Sequence, residues 1–332
     1  MNNLIKNRNI GIDLLRGLSI LYIVGFWHMF NYTKAFPEYY NPFTRRLTLI
    51  ILGTFVFISG YFIGGEDLII NKHNIIAFYK KRLLRIYPLY IIAIYLFTLF
   101  NLSNVITSVK AGVMISMLLK PAPVTLWFIT MLILFYVISP FLIHCSKSIK
   151  ANRLIFYYLI FITLLMIYSY FTRMLDVRFV MYFPSFALGV FVANKNESIH
   201  RTNNSFTIII MISSVIFSFF KAPHEQLKLL MYIPMILSCS YFLFQSFKYL
   251  SVSSKHACKI IIFLSYSSYC MYLFHRLIYI NFKKIYFPEV YLYQFFYLVF
   301  LCLPCIICCS FIIQKIFDLT IFALTKTNKD RS

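Results

Sequence analysis

Apolar residues gather into ten runs along the chain, at about 10–32, 46–64, 86–103, 125–145, 154–171, 179–194, 205–220, 227–247, 260–280 and 292–317. Most of these runs have the roughly 17–25 residues that cross ~30 Å of hydrocarbon at about 1.5 Å per residue. They predict an all-α fold, a polytopic membrane bundle of about ten transmembrane helices. Segment 104–120 is shorter and weaker and reads as a re-entrant or interfacial helix. The longest polar stretch lies between the second and third spans and is strongly basic. No internal repeat, long linker or soluble domain interrupts the pattern. The expectation is one membrane module over residues 1–332.

Composition agrees with that pattern. Of 332 residues, 61% are hydrophobic and 13% charged, whereas a soluble domain is near half apolar and a quarter charged. Too little polar surface remains to clothe a globule in water. The net charge of +22 would suggest nucleic acid in a soluble protein. In a membrane protein, basic residues flank helices and face anionic headgroups. Membrane lipid is therefore the expected partner, and nucleic acid is not.

With ten spans both termini share a side. The larger share of the Lys and Arg falls on that side, including Arg16, Lys80, Lys81, Arg82, Arg85, Lys150, Lys195, Arg201 and Arg331. Both termini are accordingly expected in the cytoplasm, although Arg45 and Arg46 fall on the other side. The first run follows Lys6 and Arg8 but is too long for a cleavable signal. It carries Asp13 and Arg16 and lacks a small-x-small site. Cys302, Cys305, Cys308 and Cys309 lie in an apolar helix with no His or acid nearby. Three of them, Cys302, Cys305 and Cys309, share a helical face suited to packing, so neither a metal site nor a disulfide is expected.

Ionisable residues inside apolar runs are costly and mark candidate sites. In the first span Asp13 and Arg16, three apart, can form an ion pair. His28 follows, beside Trp27. A neutral imidazole there can abstract a proton near pH 7, or it can simply be an interfacial histidine. Arg82 and Arg85 share a helix face ahead of the third span, where their planar forks could grip a phosphate-bearing cytosolic cosubstrate. Ser59 and Gly60 in the second span suit close helix packing. Leu126-Trp127-Phe128 opens the fourth span. Ser265 to Tyr269 leads to His275 and Arg276, which could orient a hydroxylated substrate or sit at the headgroups. There is no P-loop, GxSxG, HExxH or dinucleotide fingerprint. Acidic residues are nearly missing from the spans, which counts against an ion-coupled transporter.

Taken in order, these stretches resemble the membrane acyltransferase 3 family over nearly the whole chain. The stretches are Asp13–Arg16 with His28, Phe57–Phe62, Arg82–Pro88, Leu126–Phe128 and Ser265–His275. The resemblance implies O-acylation of carbohydrate, with His28 catalytic and Arg16, Arg82 and Arg85 binding the donor. Asp13, Trp127, His275 and Arg276 would be acceptor-positioning or structural. The donor implied is cytosolic acetyl-CoA or another acyl-CoA, acting as cosubstrate, with no permanently bound cofactor and no metal. The acceptor implied is a surface polysaccharide, peptidoglycan or similar glycan. The setting implied is the cytoplasmic membrane of a bacterium, with self-association into a homo-oligomer left open.

The sequence departs from the resemblance in one spacing. An arginine-to-histidine interval of eleven positions would leave them about 20° apart around a helix, whereas the interval of twelve here leaves about 120°. An extra residue near Gly25 can be absorbed by a π-bulge. Two rival readings stay open at this point: a glycan or lipid-linked oligosaccharide transporter or flippase, and a membrane subunit without chemistry.

Overall fold

The computed structural model describes residues 8–66, 68, 69, 71–148, 151–194 and 204–329. Lys6, Lys150, Lys195, Arg201 and Arg331 lie outside the described residues. The fold is helical, with no strand among the described residues. The helices are α1 (Ile10–Tyr22), α2 (Pro42–Gly64), α3 (Lys72–Leu99), α4 (Val105–Gly112), α5 (Trp127–Ser148) and α6 (Ala151–Thr172). They continue with α7 (Val177–Asn194), α8 (Asn204–Phe217), α9 (Glu225–Lys248), α10 (Lys255–Ile285), α11 (Tyr291–Tyr297) and α12 (Leu303–Lys329). Two π-helical turns, Ile23–His28 and Leu298–Cys302, extend α1 and join α11 to α12.

Each of the ten predicted runs falls on a helix. Among the described residues eight helices are long and apolar enough to cross a membrane, and Tyr158–Thr172 and Ser205–Phe217 are shorter apolar helices at the fifth and seventh predicted runs. Segment 104–120 holds only the eight-residue α4 followed by turns. The third span differs most from expectation. The basic stretch ahead of it is helix rather than connecting loop, because α3 starts at Lys72. Asn71 caps it by accepting the Asn74 N–H at 2.7 Å. No Gly or Pro interrupts the helix until Pro88.

The chain divides into two compact units, residues 1–48 with 246–332, and residues 49–245. In the first, α1 and α12 both pack along α10. Asn9 starts α1 by accepting the Ile12 N–H at 3.0 Å, and its amide donates to the Lys248 carbonyl at 2.9 Å. Ile12, Leu15, Ile20, Val24, Met271, Leu273, Leu277, Leu298 and Ile306 fill the interior. Burial of a side chain of this size stabilises by about 1.5–3 kcal/mol. All eight cysteines are free thiols, and only Cys302 of the last helix's four is buried. The face shared by Cys302, Cys305 and Cys309 is thus not packed throughout, because Cys309 is exposed.

In the second unit α2 and α7 cross at van der Waals contact. A Cβ on Gly60 would run into the Phe186 carbonyl, and one on Gly189 would run into the Phe57 carbonyl. This reciprocal fit is the packing role expected of Gly60. Phe135 of α5 meets Phe179, Phe183 and Phe186 of α7 at 5.1–5.5 Å. Tyr90 of α3 bonds Thr130 of α5 at 2.5 Å, where an unpaired hydroxyl would be costly.

Candidate active site

The site forms along the contact between α1 and α10. Near the start of α1, Asp13 is 5% exposed. Arg8 reaches it through two nitrogens, at 2.8 and 3.0 Å, and Ser265 of α10 donates to it at 2.5 Å. Arg16 lies farther from the carboxylate, at 3.9 Å, and donates to the Ser268 hydroxyl at 3.2 Å. The predicted Asp13–Arg16 pair is therefore real but loose. The tight partner is Arg8, which the sequence offered only as a basic flank. Its position five residues before Asp13, around a helix cap, gives it no regular helical spacing that would have exposed it.

Beyond Arg16 the helix continues for six residues and then becomes the π turn Ile23–His28, which contains Gly25. A π turn closes its hydrogen bonds one residue later than an α turn. Absorbing one residue reduces the twelve-residue interval to an effective eleven, and the offset from about 120° to about 20°. Arg16 and His28 consequently both meet α10, one at Ser268 and the other seven residues on at His275. The turn is held from two sides. Tyr279 of α10 donates its hydroxyl to the Val24 carbonyl at 3.2 Å. Gly25 lies against Leu303, whose Cδ2 would be 2.9 Å from a Cβ there.

At the end of the turn the His28 and His275 rings stack, with centroids 4.7 Å apart and planes within 2°. His275 is fully buried. Its Nδ1 faces the carbonyls of Met271 and Tyr272 at 3.1 and 2.9 Å. Two acceptors assign the ring hydrogen to Nδ1, which leaves the Nε2 lone pair of the neutral ring unused. His275 Nε2, His28 Nδ1 and Arg276 Nε are all buried without a hydrogen-bond partner. Each such orphan costs about 1–3 kcal/mol. Unpaired buried groups of this kind call for an explanation, such as a water or a ligand that completes them.

The Arg276 charge reaches both imidazoles and the phenols of Tyr32 and Tyr39. The Tyr39 hydroxyl donates to Asn31 at 2.5 Å, and burial raises its pKa above the usual tyrosine value. Trp27 packs against Tyr39 and Tyr40, at 6.1 and 5.4 Å between centroids. Sequence reasoning found both histidines and Arg276 but not Tyr32 or Tyr279. A tyrosine in an aromatic-rich span carries no signal until its hydroxyl has a partner.

The remaining candidates lie in the second unit. Arg82 donates to Glu66 at 2.6 Å, beside Lys81 at 3.2 Å, and its Nε is buried without a partner. Arg85, one turn on, is exposed. Arg82 walls a cleft of about 290 Å³ with Tyr79, Leu83, Ile86, Ile133, Tyr136 and Val137. Trp127 opens α5, and the Arg178 guanidinium lies over its ring at 4.0 Å. Arg178 is held in turn by Asp176 at 2.9 and 2.5 Å. Nothing in the sequence joins Trp127 to Arg178, because loop geometry brings them together. Among the described residues no group of His, Cys, Asp or Glu is placed to hold a metal ion.

A helical bundle of membrane-spanning length, carrying a buried histidine pair with unfilled hydrogen-bonding capacity, defines a multi-pass membrane protein with an internal polar site. The acyltransferase domain family model matches residues 9–315, so the chain belongs to the acyltransferase 3 family and is a membrane acyltransferase. No curated protein and no solved structure matches it.

Proposed function

We propose that this acyltransferase moves an acyl group, acetyl in the first instance, from cytosolic acyl-CoA to a hydroxyl of a cell-envelope or exported glycan. The observation that carries the reading is His28. A one-residue π turn brings it onto His275 and leaves its Nδ1 buried with no protein partner. A buried imidazole with a spare nitrogen is a general base for an acceptor hydroxyl, or a nucleophile that takes the acyl group transiently. His275 is locked by two carbonyls and fixes the plane of the His28 ring.

The donor role falls to Arg82 and Arg85. Arg82 keeps one edge on Glu66, and its buried Nε remains open beside a cleft lined mainly by apolar and tyrosine side chains. That combination suits a phosphate on the arginines and a slender thioester-bearing arm in the cleft. The reading places both termini in the cytoplasm of a bacterial cell with the protein in the cytoplasmic membrane, as the positive-inside rule suggests.

The test compares envelope glycan from wild type, a deletion strain and a His28→Ala strain for base-labile O-acyl groups. Loss in both mutants, with the variant present in the membrane at normal level, is expected. Unchanged O-acylation in every envelope glycan of the deletion strain would refute the reading. The donor half is checked by acetyl-CoA binding, which Arg82→Ala with Arg85→Ala should remove from a protein that still folds.

A further inference from the structure

Arg276 differs from the other partly buried arginines near acidic groups. Arg8 has Asp13, Arg82 has Glu66 and Arg178 has Asp176. Among the described residues no carboxylate pairs with Arg276, although its Nε is buried and without a hydrogen-bond partner. A buried N–H left without a partner is costly, and an acceptor arriving to meet it would recover that cost. Arg276 follows His275 directly in α10, and the His275 ring stacks on that of His28 with centroids 4.7 Å apart.

We propose that Arg276 is a catalytic residue, and that its guanidinium receives the oxyanion that forms on the acyl carbonyl during transfer. This rests on the reading of His28 as base. In the addition step the acceptor oxygen forms a bond to the thioester carbonyl carbon while its proton passes to His28. The carbonyl π pair moves onto the oxygen, which becomes the oxyanion facing Arg276. In the collapse step that pair re-forms the C=O bond and the C–S bond breaks. The proton on His28 then goes to the departing CoA sulfur. The transient species thus pairs a negative oxygen with a positive imidazolium, and Arg276 adds a fixed N–H donor to that oxygen. Fixed donors aimed at developing charge lower a barrier without reorganising at the moment of reaction. The lone Nε–H, held in place and unused in the resting protein, is such a donor.

The test uses full-length protein in native membranes, with acetyl-labelled acetyl-CoA as probe and label in base-labile esters of the membranes' own glycan as readout. Arg276→Gln should lower the turnover rate by about 10²–10³-fold, the effect of one oxyanion donor, with acetyl-CoA affinity unchanged. Arg276→Gly should recover turnover when guanidinium ion is added and not when ammonium is added. A merely structural arginine would not give that ion-selective rescue. Arg276→Lys keeps charge without the planar fork and should lie between wild type and Arg276→Gln.

Turnover in Arg276→Gln within about twofold of wild type would overturn the assignment, as would a normally folded Arg276→Gly that guanidinium does not rescue. A loss seen only as a raised KM for glycan would make Arg276 an anchor for an anionic acceptor and would also overturn it. Wild-type membranes with no His28-dependent transfer would instead overturn the function on which it rests.

Discussion

At one end of the contact between α1 and α10, the charged groups have partners. Asp13 takes Arg8 twice and Ser265 once, and Arg16 takes Ser268. At the other end, three nitrogens of His28, His275 and Arg276 are buried with none. The same two helices build both ends, so a difference of helix type does not account for it. A satisfied network fixes one helix against another. An unsatisfied one lowers stability and persists where something else must bind. On the proposed function, the first end holds the fold and the second performs the chemistry.

Substitutions at the two ends should separate activity from stability. The largest effect belongs to His28→Ala, which should lower transfer by about 10²–10⁴-fold while thermal unfolding in detergent stays close to wild type. A large drop in melting temperature would put His28 with the structural end. Asp13→Ala should do the reverse. It strands Arg8 and the Ser265 hydroxyl and should destabilise by about 3 kcal/mol, the low end for a broken buried pair because Arg8 is a third exposed. Unfolding in detergent reads that loss, and activity per folded molecule should change little.

Smaller changes test the π turn that connects the two ends. Tyr279→Phe removes the hydroxyl that meets the Val24 carbonyl and should destabilise by about 1–3 kcal/mol. It should also cut transfer more than Asp13→Ala does per folded molecule, because it loosens the turn that aims His28. Gly25→Ala should have the least effect. Its Cβ meets only the flexible end of Leu303, a crowding worth about 1 kcal/mol. Unchanged stability in Tyr279→Phe would mean that the turn holds its shape without that hydroxyl.

Much of this was legible in the sequence. Each apolar run falls on helix, eight of them long and apolar enough to cross a membrane, because a span's length and composition are local properties. His28, His275 and Arg276 stood out because ionisable groups in apolar runs are rare. The extra residue near Gly25 showed as a mismatch between spacing and helical period, and a π turn occupies that stretch. What stayed hidden was pairing across distance. Arg8 on Asp13 depends on the path of a helix cap, and Arg178 over Trp127 on two loops meeting. The start of α3 was missed for another reason. Its cations looked like a loop at the headgroups, whereas Lys, Leu and Arg are good helix formers and Asn71 supplies a cap.

The π turn also bears on how a motif in such proteins should be defined. An arginine and a histidine can be held at one mutual orientation by eleven residues of α-helix or by twelve that include a π turn. A pattern that fixes the count at eleven would pass over this chain although the two side chains reach the same neighbouring helix. The better descriptor is angular: the sum of turns between the two residues, with each π turn discounted by one. Membership then follows from where the side chains point, and a one-residue insertion becomes a silent event as long as the helix can swallow it.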